Sequence, residues 1–139
     1  MKAESAKDPN SEELDKKKAI LVDSMLTYYR NFPKDTMTPA YLDKVHMIFS
    51  SQENYRMSAT YAAAIIDKYP NYVNRKMILE SQITTYDVLL SPRDTVELKK
   101  WIDLYLKENN NLSKDEVEGY QHILDNISLS FQDRIKRQK

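Results

Sequence analysis

The residues best suited to chemistry in this chain are two histidines, a few carboxylate pairs and ten tyrosines. Zinc takes three or four ligands from His, Cys or carboxylate. His46 and His122 lie in different segments without a third ligand at a recognisable spacing, and cysteine is absent. A packing role is the better account of each. The pairs Glu12-Glu13 and Glu116/Glu118 fall in the first turns of predicted helices, where they complement the positive end of the helix dipole. Nucleophilic catalysis needs an activated Ser, Cys or Lys beside an oriented base, usually on a sharp turn, and no G-x-S-x-G or comparable spacing occurs. The sequence reads as non-enzymatic, with no metal or cofactor implied.

Ten tyrosines would suit an aromatic platform for sugars or single strands. Tyr28, Tyr55, Tyr69, Tyr86, Tyr105 and Tyr120 fall on apolar helix stripes, where burial of a large ring explains them. Tyr41, Tyr61 and Tyr72 are left freer and are expected to be exposed. Asn111-Leu112-Ser113 and Asn126-Ile127-Ser128 match the glycosylation triplet, but helix capping and a helix face explain them as well. The closing Arg134, Lys136, Arg137 and Lys139 suit a solvated helix end, where cations meet the negative dipole; contact with acidic lipid is the other reading. Lys+Arg and Asp+Glu both number 21, so no global field attracts nucleic acid.

The elements that must position these residues read as helices. One glycine (Gly119) in 139 residues leaves little scope for hairpin turns or phosphate-cradling loops. The five prolines punctuate apolar-periodic runs without interrupting them. Residues 1–10 are small and charged and read as a disordered polar tether. The first helix is predicted from a Ser11 cap to before Pro33, with the stripe Leu14, Leu21, Met25, Tyr28 and Tyr29. The second has Thr38 as cap and Pro39 at its first position, with Leu42, Val45, Ile48 and Phe49 as stripe. The third runs from about Asn54 to Lys68, and the fourth from about Val73 to Leu90 along Leu79, Ile83, Tyr86 and Leu90. The fifth spans about Asp94 to Asn109 with Leu98, Trp101, Ile102 and Tyr105. A capping box, Ser113 with Glu116, opens the sixth, whose stripe is Val117, Tyr120, Leu124, Ile127 and Phe131. Residues 11–131 form the helical domain and 132–139 a basic tail. Leu42, Val45, Phe49, Ala62, Ile65, Leu79 and Tyr86 are expected to be buried.

Tyr28-Tyr29-Arg30-Asn31-Phe32-Pro33 returns 37 positions later as Ile65-Ile66-Asp67-Lys68-Tyr69-Pro70. A period of that size with helical patterning predicts an all-α array of six helices in three antiparallel hairpins. Placing Pro70 at the end of a 34-residue register sets Leu42, Val45, His46 and Phe49 on one helix and Ser58, Ala62 and Ile65 on the next. This resembles the tetratricopeptide pattern W-x2-L-G-x2-Y…A-x3-F-x2-A-x4-P, with Leu42 in place of the tryptophan and His46 in place of the glycine. Two segments, Asn31 to Leu42 and Tyr55 to Tyr72, are similar to the outer-membrane-assembly lipoprotein group of Gram-negative envelopes, over roughly residues 14 to 130.

That resemblance implies an α-α superhelix whose first helices line a concave groove. Its register places Asp43, Met47 and Ser50 there from one repeat, and Met77, Glu80, Thr84 and Asp87 from the next. The methionines would give an adaptable apolar floor and the carboxylates an acidic rim, suited to a basic or neutral protein or peptide segment. The implied job is an envelope adaptor in the periplasm or at the outer membrane, touching membrane only through a lipid on a cysteine upstream of Met1. Cytoplasmic location is the alternative, and a small-ligand or carbohydrate-binding protein is the alternative function.

Overall fold

The computed structural model describes residues 9–138, with side-chain environments for residues 12–137. Every regular element among them is helical: α1 Pro9–Asn31, α2 Thr38–Ser51, α3 Tyr55–Lys68 and α4 Arg75–Thr84, which continues as a π-helical turn, Thr85–Leu89. Then follow α5 Thr95–Glu108, α6 Lys114–Asp125 and α7 Phe131–Gln138. The chain is therefore all-α, with one helix more than the stripes predict. None of the described helices is long and apolar enough to cross a membrane. The polar tether expected over residues 1–10 lies outside the described residues, except that Pro9 and Asn10 already belong to α1; Lys139 of the basic tail also lies outside them. The described chain divides after Tyr61 into two compact units, and α3 runs from the first into the second.

In the first unit α1 begins ahead of Ser11, so that serine is not the cap. The helix stops before Pro33 as expected, and the following turn is held by the Asp35 carboxylate, which accepts the Met37 N–H at 2.8 Å. Thr38 does not cap α2 either. Met37 holds that position without a side-chain bond, and the fully buried Thr38 hydroxyl donates to the Phe32 carbonyl at 2.6 Å. The Phe32 carbonyl also accepts the Asp35 N–H at 3.2 Å, so the Thr38 hydroxyl ties the start of α2 to the turn that follows α1 instead of capping α2. Antiparallel packing brings Tyr28 edge-on to Tyr41 at 5.1 Å and sets residues 18–26 beside Phe49 and Gln52. The 14-residue α2 thus runs out near Lys18 of the 23-residue α1. Leu14, on the expected stripe but beyond that end, is consequently 52% exposed; Leu21 on the same stripe is 45% exposed, and Met25 is buried.

The joint between α2 and α3 uses an unusual residue. Glu53 has φ of 60°, while its N–H reaches Ser50 O at 3.0 Å and the Asn54 N–H reaches Phe49 O at 2.9 Å. Those two bonds form a Schellman ending, whose left-handed position favours glycine. Asn54 then accepts the Met57 N–H at 3.3 Å and starts α3. Glu53→Gly is expected to raise stability by about 1 kcal/mol. A chemical denaturation curve checks this, with an unchanged or lower midpoint as the contrary result.

The second unit is built on Ile65, Ile66, Ile78, Leu79 and Ile83 with Leu98, Trp101, Ile102 and Tyr105 from α5. Asp94 caps α5 through the Glu97 N–H at 3.0 Å, and the capping box of Ser113 and Glu116 opens α6 as the sequence predicts. Arg75 ties helix ends together: its guanidinium bridges both Glu108 oxygens at 2.8 and 2.7 Å and donates to Ile66 O at 2.6 Å. That contact holds the Glu108 carboxyl below its ordinary range.

Three expectations fail in this unit. The helix expected over 73–90 changes its winding at Thr85, where the Leu90 N–H bonds Thr85 O, five residues back, at 2.9 Å. The wider turn breaks the 3.6-residue register. Thr85 and Asp87 are buried, while Tyr86 is only half-buried. Next, α6 ends at Asp125, so Ile127 and Phe131 are not on its stripe, and none of its own side chains is buried. Finally, residues 131–138 are the separate helix α7. Of the seven expected core residues, Leu42, Val45, Ala62, Ile65 and Leu79 are fully buried. Phe49 is half-buried at the end of α2, stacked on Tyr61 with centroids 6.0 Å apart.

Candidate functional site

The expected groove residues fall on two helices, one in each unit. On α2, Met47 is 60% exposed, with Asp43 and Ser50 half-buried one turn to either side. On α4, Met77 is 66% exposed, Thr84 is exposed and Glu80 is half-buried. Spacings of three and four residues put each set on a single helix face. Glu80 is more than a rim charge, because its carboxylate accepts the Tyr105 hydroxyl at 2.6 Å. Burial first, and this bond second, push the Tyr105 phenol far above its ordinary value. Glu80 thereby fixes the hydroxyl of a fully buried ring.

Asp87 is not a groove residue, contrary to the register. Its side chain is 6% exposed, and two guanidiniums neutralise it. Arg134 reaches both carboxylate oxygens, Nη1 to Oδ1 at 2.9 Å and Nη2 to Oδ2 at 2.6 Å. Arg93 donates to Oδ1 at 2.8 Å, to the Asp87 carbonyl at 2.7 Å and, through Nε, to Ile127 O at 2.7 Å. Arg134 also donates to Leu129 O at 3.0 Å. Reading Arg134 as part of a solvated end is thus wrong, for it is 7% exposed. The sequence does hold a signal for α7. The Ser130 hydroxyl accepts the Asp133 N–H at 3.1 Å, which is half of a capping box spelled Ser-x-x-Asp.

His46 and Ser58 form a second buried polar contact, Nδ1 to Oγ at 2.7 Å, with exposures of 5% and 1%. A serine so enclosed cannot reach a substrate, so the pair is a packing element. Burial pushes the His46 imidazole below its ordinary value, partly opposed by Asp43 one turn earlier and by hydrogen bonding at Ser58. Below pH 6.5 the unfolded chain then takes up the proton more readily than the folded one. The stability that neutral His46 contributes is complete above that pH and is lost as pH falls towards the depressed folded value. Melting temperature should therefore drop between about pH 7.5 and about pH 5, and drop less in His46→Gln. Parallel slopes in the two chains would contradict this.

Tyr41, Tyr61 and Tyr72, expected to be exposed, are half-buried. The first two pack on Tyr28 and Phe49, and the Tyr72 hydroxyl accepts from Asn74 at 3.3 Å. A largely apolar cleft of about 250 Å³ in the first unit is lined by Lys18, Val22 and Leu26 of α1 and by Phe49 and Gln52, with no tyrosine in its wall. Among the described residues no group of three or more His, Asp or Glu side chains is placed to hold a metal ion. No protein-family model matches the chain, and no curated protein or solved structure is significantly similar to it.

Proposed function

We propose that this chain is a non-catalytic, tetratricopeptide-like helical-hairpin module that binds a peptide or partner protein, serving as an adaptor in the cell envelope. The observation that carries the reading is the exposure of Met47 and Met77, each beside a carboxylate on its helix face. Long apolar side chains kept in water beside charge suit an adaptable contact surface. The hydrogen-bonded His46 and Ser58 occupy the glycine position and a second-helix position of that repeat register, which fits a hairpin whose small residues have been exchanged for a complementary polar pair. The carbohydrate-binding alternative is the weaker one, since the cleft on α1 has no tyrosine in its wall. Envelope location rests on the sequence resemblance, and mass spectrometry of the protein isolated from cell membranes tests it by looking for a lipid-modified amino terminus.

Asp43 supplies the charge on the α2 face and Glu80 that on the α4 face, each taken by itself, with Asp87 excluded by its burial. Asp43→Asn with Glu80→Gln should reduce capture of a co-purifying partner and flatten the salt dependence of that capture. The melting temperature should stay nearly constant, because the amide oxygen of the introduced glutamine can still accept from Tyr105. The effect is expected to be modest, about 1 kcal/mol per contact, because both carboxylates are only half-buried and salt screens them. Capture of the same partner with the same salt response would refute the assignment of these two faces.

A further inference from the structure

Between Phe131 and Arg137 every side chain of α7 is exposed except Arg134. Eight residues cannot sustain a helix in water by themselves, so α7 is held by the buried Arg134 guanidinium together with the partly covered Phe131 and Ile135, each 39% exposed. The receiving site is a carboxylate whose two oxygens face the fork of the arginine, while the Leu129 carbonyl of the same segment also accepts from it. Such a planar, two-bond fit is specific for arginine over lysine.

The charge count makes this docking reversible. With Arg134 seated, one carboxylate serves two guanidiniums. With Arg134 withdrawn, Asp87 and Arg93 remain as a neutral pair, and Arg93 keeps its bonds to the Asp87 carbonyl and Ile127 O. Opening the site therefore leaves no bare buried carboxylate, the usual penalty for breaking such a pair. The carboxylate also stays fixed in place by Arg93.

We propose that the Asp87 site is a guanidinium receptor, occupied in cis by Arg134 and open to exchange with an arginine on a basic helix of a partner protein. The cis occupant shows the pattern such a helix would carry. Phe131 stacks near the guanidinium, ring centroid to Cζ 5.7 Å, Ile135 follows it, and Lys136 and Arg137 provide positive charge. Tethering gives α7 a high local concentration, so a partner gains entry where it adds contacts outside the pocket. This site shares no residue with the proposed contact faces of α2 and α4 and does not depend on their role.

A fluorescent peptide copying residues 128–139 tests the proposal by anisotropy titration against the full chain. Arg134→Ala vacates the site in cis, and the peptide should bind that variant at least about tenfold more tightly than it binds the wild type. Alanine in place of the peptide's own arginine should abolish the gain, as should adding Asp87→Asn to the Arg134→Ala chain. Arg134→Lys, which keeps a charge but loses the fork, should bind the peptide with intermediate affinity, and it serves as the test should the alanine variant fail to fold. Equal binding to wild type and to both variants would overturn the proposal. So would binding that ignores the peptide's arginine.

Discussion

Replacing Asp87 by asparagine should lower stability by about 3–5 kcal/mol, an unusually large loss for a change of one atom. Asparagine preserves shape and one acceptor, but it leaves the buried Arg134 and the partly exposed Arg93 without a counter-charge. Its amide NH2 must also face a guanidinium donor. The exposure of Arg93, 15% of its side chain, lets water relieve part of the strain and places the expected loss near the lower end. Urea denaturation followed by circular dichroism should show a reduced midpoint with little change in slope. Arg134→Met in the same chain should recover part of the loss, because one unpaired cation is removed and a smaller excess charge remains. Loss of less than about 1 kcal/mol in Asp87→Asn would mean that the carboxylate is not the electrostatic centre of this unit.

Trp101→Ala should cost about 3–5 kcal/mol. The ring is fully buried, and the Lys100 ammonium lies 4.3 Å from its centroid, so truncation removes both core contacts and a cation–π partner. One feature limits the loss. The indole Nε1 is buried without a hydrogen-bond acceptor among the described residues, and such an orphan donor weakens the native state by about 1–3 kcal/mol. Both variants remove that donor, so Trp101→Phe, which keeps an aromatic ring in the core, should cost little and clearly less than Trp101→Ala. Thermal melts followed by circular dichroism compare the three chains, and a phenylalanine variant as unstable as the alanine variant would contradict the argument.

Periodicity made most of the helices legible, because Leu42, Val45, Ile65, Leu79 and Leu98 recur at helical spacing and each is fully buried. It failed where a second physical effect intervened. Leu14 continues the stripe of α1, but periodicity cannot tell how far the partner helix extends. The winding change at Thr85 leaves no mark in hydrophobic spacing, since Tyr86 and Leu90 continue the apparent stripe while Asp87 is the residue drawn inside. Arg134 was hidden for a different reason. Terminal basic residues usually satisfy a helix dipole in water, and only the fold supplies the carboxylate 47 positions away that makes this one a core residue. Of the candidate contact residues, Met47 and Met77 are exposed and Asp87 is buried.

Trp101 is the only tryptophan in the chain and belongs to the second unit. Light emitted by the native indole is consequently blind to the first unit, whose ultraviolet signature comes from tyrosine and from the amide backbone. The protein thus carries a built-in spectral asymmetry. Superimposable unfolding curves from indole emission and from backbone ellipticity would identify a single cooperative transition, whereas separated curves would resolve the two units without any label.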